Sequence, residues 1–354
     1  MKITEFAKNM PESVDAVMIL SEENRLYFTG FPSSDGCLLI ARDRAVFFTD
    51  SRYIEAAAKS IAGCEIRESG DFTMQFTQLL AEWGVSRVGI EAERLTVSRF
   101  VQYQSRFSPV DFVADGEVDR LISAMRSVKS EEELACIETA QKIAEDAFAH
   151  ILGFIAVGKT EREIALELDF YMLRRGAEAV SFETIAVSGA NSSMPHGVPS
   201  QKKLAKGDLL TMDFGAVYKG YHSDMTRTVA IGCVDGGQRE VYDIVLAAQK
   251  ACLAGLREGL SCVDADALAR EQIQNSGYGD NFSHGTGHGV GIEIHESPNL
   301  SPRSVATLAR GNVVTVEPGI YLPGRFGVRI EDMAFITEGG CRNLTAAPKE
   351  LLVL

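Results

Sequence analysis

Five side chains in the C-terminal half of this chain have the chemistry of metal ligands and stand in contexts that a metal would explain. Asp213 closes the apolar run Asp208-Leu-Leu-Thr-Met-Asp-Phe-Gly, and Asp224 follows in Tyr221-His-Ser-Asp-Met-Thr-Arg-Thr. His288 lies in the glycine-rich stretch His284-Gly-Thr-Gly-His-Gly-Val-Gly. Glu317 ends Val313-Val-Thr-Val-Glu-Pro-Gly, and Glu331 interrupts Gly327-Val-Arg-Ile-Glu-Asp-Met-Ala-Phe-Ile. A carboxylate in a strand-like apolar run is costly to bury unless its charge is compensated. Four carboxylates balance two divalent cations and one imidazole adds a nitrogen ligand, which is the arithmetic of a two-metal hydrolase.

The neighbours of these residues sort in the same direction. Asp213 and Asp224 flank the turn-like Tyr218-Lys-Gly-Tyr221, so a hairpin is expected. An antiparallel hairpin brings both acids to one end of a sheet face, although either alone reads as an ordinary strand-end aspartate. Thr211 precedes Asp213 by two and Thr226 follows Asp224 by two; side chains at i and i+2 share a face, so these hydroxyls are expected to orient the carboxylates. His284 and His288 have the spacing of one helix face, but the glycines around them argue for irregular or extended backbone. His295 alternates away from Ile292 and Ile294, and His196 sits in the loop Ser193-Met-Pro-His-Gly. A single histidine of this kind is more often structural, as His150 and His222 are read. Three in loops punctuated by glycine and proline point to a site. Glu331 shares a face with Arg329, and taken singly that pair reads as a structural ion pair with a bidentate guanidinium.

Such a site needs a frame, and the rest of the chain is patterned to make one. The 354 residues are enough for two cores, with 45% hydrophobic and 24% charged residues as in ordinary globular proteins. A balance of 35 basic against 49 acidic residues argues against nucleic acid or anionic lipid as the main partner. Seven cysteines at scattered positions form no C-x-x-C pair, the start has no apolar signal-peptide segment, and no run is long enough to span a bilayer. A cytoplasmic protein without a membrane role is expected. Residues 14–116 alternate strand-like runs (near 15–20, 36–41, 45–49, 87–90 and 110–113) with helical spacing at 52–61, 72–83 and 98–107, which predicts a small α/β domain with a mixed sheet. Ser130 with Glu133 forms a capping box opening a long helix whose apolar stripe runs from Leu134 through Phe154 and is ended by Gly158, and Thr160-Glu-Arg-Glu starts a second. After Phe182 strands dominate, interrupted by helices near 238–258 and 263–275. The fold class is therefore α+β, with a boundary in the stretch 117–129 that is set as domains 1–125 and 126–354.

The ordered set Asp213, Asp224, His288, Glu317 and Glu331 with its motifs resembles the pita-bread metallopeptidases, the family that includes methionine aminopeptidase, Xaa-Pro aminopeptidase and Xaa-Pro dipeptidase (prolidase). The match spans roughly residues 130–354. The N-terminal region resembles the creatinase/prolidase N-terminal domain, which methionine aminopeptidase lacks, so the resemblance favours the proline-directed branch. It implies that Asp213 chelates one metal, that Asp224 and Glu331 bridge both, and that His288 and Glu317 complete the ligand set of the second metal. It further implies that His196 and His295 are catalytic-pocket histidines and that His284 lines the pocket for the proline ring. Tyr321 and Arg329 match supporting or pocket positions, and Phe182 lines the same cleft.

The implied reaction is hydrolysis of an N-terminal Xaa-Pro bond in a proline-containing peptide by a metal-bridged hydroxide, with Glu317 shuttling a proton to the leaving nitrogen. Proline lacks an N–H and has a fixed φ, so the site must accept a ring and protonate a tertiary amide nitrogen. An oxygen-rich donor set with one imidazole suits two Mn²⁺ ions, with Co²⁺, Fe²⁺ or Zn²⁺ as alternatives. Some similar prolidases carry an arginine shortly after the His-Glu pair, where His295-Glu-Ser-Pro-Asn offers Asn299, so Xaa-Pro aminopeptidase activity is favoured narrowly over Xaa-Pro dipeptidase activity. A metal-free binding module and a metal-independent creatinase are disfavoured because all five ligand positions are intact. The resemblance also implies a homodimer.

Overall fold

The computed structural model describes residues 2–354, which form two compact units divided between Arg126 and Ser127. The first is a mixed six-stranded sheet built from β1 (Ala16–Ile19), β2 (Cys37–Ala41), β3 (Ala45–Thr49), β4 (Glu65–Glu68), β5 (Arg87–Ile90) and β6 (Asp111–Val113), in the order β4-β3-β2-β1-β5-β6. β1 is antiparallel to β2 and parallel to β5. Every residue of β1, β2 and β3 is buried, so both faces of the sheet are covered, which is why these strands read as unbroken apolar runs. The helices are α1 (Lys2–Asn9), α2 (Glu22–Thr29), α3 (Ile54–Ser60), α4 (Phe72–Trp83), α5 (Val97–Arg106) and α6 (Glu117–Ser127). Phe76, Leu79 and Leu80 of α4 pack on Met18, Leu39 and Phe48 of the sheet, each burial contributing about 1.5–3 kcal/mol. β4, with the sequence Glu-Ile-Arg-Glu, is an exposed edge strand and carries no apolar alternation, so the sequence reading passed over it.

The second unit begins with α7 (Glu131–Ile151) and α8 (Glu161–Arg174), both opened by capping boxes, at Ser130/Glu133 and Thr160/Glu163. Their apolar faces, including Ile143, Phe148, Ile164 and Leu168, cover the sheet β12-β9-β8, where β8 is Ile185–Ser188, β9 is Leu209–Phe214 and β12 is Met225–Ala230. β7 (Ala179–Val180), β10 (Ala216–Tyr218) and β11 (Tyr221–His222) form a small second sheet at the hairpin tip. A separate core lies under α9 (Gly236–Gly255) and α10 (Cys262–Asn275), where Val241, Val245 and Ile273 meet Val314, Val316 and Val328. That core is closed by β13 (Gly287–Gly289), β14 (Glu296–Leu300), β15 (Val313–Val316), the pair β16 (Gly319–Leu322) and β17 (Phe326–Arg329), then β18 (Asp332–Ile336) and β19 (Cys341–Asn343). Among the described residues, no helix is long and apolar enough to cross a membrane.

Candidate metal centre and substrate cleft

The expected hairpin is present. β9 and β12 pair antiparallel with Asp213 opposite Thr226 and Phe214 opposite Met225, which leaves Asp224 at the entry to β12 beside Asp213. His288 is the central residue of β13, extended rather than helical, at a register shift against β14 between Gly287 and Gly289. The glycines flanking it are there for backbone contact: a Cβ on Gly287 would lie 2.0 Å from the Thr315 carbonyl oxygen, and one on Gly289 2.4 Å from that of Ser297. β13 is thereby pressed between β14 and β15, and β15 delivers Glu317 one residue past its end.

Glu331 departs from the expected placement. It lies in no strand but in the step between β17 and β18, where the chain leaves the two-stranded sheet for the five-stranded one. That break ends the two-residue alternation, so Arg329 does not pair with Glu331. Its Nη2 instead donates to Asp213 Oδ2 at 2.6 Å, Nε to Thr226 Oγ1 at 3.1 Å, and Nη1 to Tyr321 Oη at 2.9 Å and the Pro195 carbonyl at 3.1 Å. The threonines also divide differently. Thr226 donates to Glu331 Oε2 at 2.7 Å rather than to Asp224, and Thr211 pairs with Thr228 across the hairpin at 3.0 Å. The hydroxyl the sequence reading missed is Thr315, which accepts from the His288 N–H at 3.1 Å and donates to Glu317 Oε1 at 3.3 Å. The i, i+2 argument applied to Thr211 and Thr226 would have found it.

All five acidic and histidine positions line one cavity of about 580 Å³. Asp224, His288 and Glu331 each offer a ligand atom within 4.8 Å of the others. His288 Nε2 lies 3.5 Å from Asp224 Oδ2 and 3.5 Å from Glu317 Oε1. Its Nδ1 is 3.1 Å from the Gly289 carbonyl, an acceptor only, so Nδ1 carries the proton and Nε2 turns a lone pair toward the acids. Burial holds His288 neutral, down to about 4, with His295 adding to the effect. Burial first, then repulsion from neighbouring carboxylates (Glu331 for Asp224, Glu317 for Glu331), raises Asp224 and Glu331 well above the usual carboxylate range. Burial pushes Glu317 up to about 8, against the opposing pull of Arg329. Asp213 Oδ1 and Glu331 Oε1 are buried with no hydrogen-bond partner.

The remaining predicted residues surround this cluster. His196, His284, His295, Phe182 and Arg329 all line the cavity, together with Pro195, Val198, Ile294 and Asn299. The His295 and His288 rings meet edge to face at 4.3 Å. Tyr321 is not on the cavity wall but stands behind it: its hydroxyl accepts from Arg329 and lies 2.8 Å from His284 Nε2. Because His284 Nδ1 is 2.8 Å from the Gly285 carbonyl, the tyrosine hydroxyl is the donor to Nε2. Burial, with Arg329 nearby, lowers His284 to about 4, in keeping with a neutral ring.

The profile of metallopeptidase family M24 matches residues 135–338, and that of the creatinase/prolidase N-terminal domain matches residues 6–128. The chain belongs to metallopeptidase family M24. This M24 chain is similar over its whole length to solved structures. It covers 100% of its own length and 99% of a Xaa-Pro dipeptidase from Bacillus anthracis, at 41% identity and a TM-score of 0.96. An X-Pro aminopeptidase from Thermotoga maritima follows at 37% identity, 98% and 99% coverage, and a TM-score of 0.92. A Xaa-Pro dipeptidase of Pyrococcus furiosus is 38% identical over 353 residues, 99% of each chain. The M24 chain is thus a metallopeptidase, and its family's chemistry uses divalent metal ions.

The residues present fit such ions. A cluster of buried acids with raised proton affinity, two carboxylate oxygens without partners and an imidazole lone pair directed at them is incomplete as a protein interior. Cations supply what it lacks.

Proposed function

We propose that this M24 metallopeptidase hydrolyses the bond between an N-terminal residue and proline, with Xaa-Pro dipeptides as its principal substrates. The observation that carries the reading is the single cavity in which the acid and histidine cluster faces an apolar wall of Phe182, Pro195, Val198 and Ile294. That wall is suited to a ring. Asp213, Asp224, His288, Glu317 and Glu331 are the residues that would hold two divalent ions, and the oxygen-rich set suits Mn²⁺. Bound there, such ions supply a water of lowered pKa and polarise the scissile carbonyl.

The other steps belong to side chains. Arg329 holds Asp213 Oδ2, so that Oδ1 alone remains for a ligand. Thr226 and Thr315 do the same for Glu331 and Glu317 by occupying one oxygen of each. His295 and His196 stand on the cavity wall as donors to the oxygen that gains charge during attack. Burial keeps His295 below the usual histidine range, so at neutral pH it donates as a neutral N–H. Proline's nitrogen leaves as a tertiary amide and must receive a proton; Glu317, whose proton affinity is raised, carries it.

The names of the relatives lean to dipeptides, against the narrow preference for aminopeptidase activity drawn from Asn299. One observation keeps the longer substrate as a second reading. Among the described residues, the only arginine on the cavity wall, Arg329, is committed to Asp213, and no lysine lines it. Comparing kcat/KM for a Xaa-Pro dipeptide and the matching Xaa-Pro-Yaa tripeptide decides between them. Preference for the dipeptide supports the proposal; preference for the tripeptide replaces it, and cleavage of neither overturns both.

A further inference from the structure

Glu161, the first residue of α8, is a fully buried carboxylate (0% exposed) to which neither the family motifs nor the cleft assigns a task. No cation touches it. Its charge is met by donors drawn from one segment, residues 188–200. Oε1 accepts from the Ser188 N–H at 2.7 Å, Ser188 Oγ at 2.9 Å and Asn191 Nδ2 at 3.1 Å. Oε2 accepts from Asn191 Nδ2 at 3.2 Å, the Ser200 N–H at 3.1 Å and Ser200 Oγ at 2.6 Å. An ammonium acts on it through a hydroxyl: Lys202 Nζ donates to Ser188 Oγ at 2.7 Å. Glu161 thus clasps both ends of the segment.

Between those ends the chain forms the wall of the cleft that carries Pro195, His196, Val198 and Pro199. Its middle is pinned from the opposite side, where Gly327 N–H donates to Ser192 Oγ at 2.9 Å and Arg329 to the Pro195 carbonyl. His196 itself is exposed to the cavity, and no side-chain hydrogen bond fixes its ring within the chain. Its position must therefore come from the backbone. Resting on the Xaa-Pro reading above, we infer that Glu161 is a positioning residue that sets the place of His196 by gripping the two ends of residues 188–200.

The isosteric Glu161→Gln keeps the volume but puts an NH₂ where donors need an acceptor, leaving about half of these contacts unmade. In the metal-loaded protein, amide hydrogen exchange across 189–199 should accelerate by at least ~10-fold, while exchange in α9 stays unchanged. Misplacement of a reacting group by about 1 Å costs on the order of 100-fold in rate, so kcat should fall by about that factor with KM within ~3-fold. In a His196→Ala background the same substitution should lower kcat by less than ~3-fold, because the two act through one group. Unaltered exchange in 189–199, or a full loss of kcat on top of His196→Ala, overturns the inference. Should Glu161→Gln fail to fold, Ser200→Ala removes the hydroxyl contact to Oε2 while keeping the backbone one, and should give the same pattern at smaller amplitude; absence of that pattern overturns the inference equally. Should the unsubstituted chain cleave no Xaa-Pro peptide, the substrate reading fails and the exchange result alone decides the role of Glu161.

Discussion

Arg329→Met removes a cation that faces the acid cluster and is a direct test of how the site is organised. Arg329 and Asp213 are nearly sealed from solvent, with side chains 4% and 13% exposed, so water screens their pairing little. Met matches the length of the arginine stem but leaves Asp213 Oδ2, the Pro195 carbonyl, the Tyr321 hydroxyl and Thr226 Oγ1 without a donor. Breaking a buried pair by removing one member costs about 3–5 kcal/mol. In a unit of this size each kcal/mol shifts the melting temperature by roughly 2–4 °C, so chelator-treated protein should melt roughly 6–20 °C lower. Arg329→Lys should recover only part of this, because a single ammonium cannot reach four acceptors spread around a planar fork. The assay is thermal unfolding of the metal-free proteins followed by circular dichroism. A shift of less than about 2 °C for Met, or full recovery by Lys, would refute the reasoning.

Three further outcomes follow from the same geometry. Carboxyls raised above their unfolded values bind more protons when folded, so their contribution is complete at low pH and is lost as pH rises through Glu317's value of about 8. The neutral His288 acts in the opposite sense only below about 6.5, so metal-free protein should lose melting temperature between about pH 6.5 and 8, and added Mn²⁺ should raise it more at pH 8 than at pH 6.5; a rising metal-free curve in that window contradicts the assignment. Gly287→Ala places a Cβ 2.0 Å from the Thr315 carbonyl and should cost about 3 kcal/mol, whereas Gly340→Ala, with open space around it, should leave urea unfolding unchanged. Thr315→Val frees Glu317 Oε1 and should weaken metal binding about 10-fold to 100-fold by calorimetric titration, while an unchanged affinity would deny Thr315 its orienting role.

Much of this site was legible in the sequence because buried charge is conspicuous. Asp213, Glu317 and Glu331 stood out by closing or interrupting apolar runs, and the hairpin that brings in Asp224 followed from the turn residues around Lys219-Gly220. The capping boxes at Ser130 and Thr160 likewise placed two helix starts to the residue. What could not be read was where strands stop. The break at Ile330–Glu331 has no glycine or proline to announce it, so Arg329 was paired with its sequence neighbour rather than with Asp213, 116 positions away. Glu161 was hidden for a different reason: at the first turn of a helix an acid is the expected residue, and only the tertiary fold shows five donors converging on it. α1 and α2 were passed over because their patterns are short, and β4 because it is charged and exposed.

On the proposed reading, Asp213, Asp224, His288, Glu317 and Glu331 together would hold paired cations. Elemental analysis after loading with Mn²⁺ and desalting measures this most directly, on the parent chain and on Asp224→Asn and Glu331→Gln. The parent should retain about two ions per chain and either variant fewer than about one. A parent that retains no metal, or variants that retain as much as the parent, would contradict it.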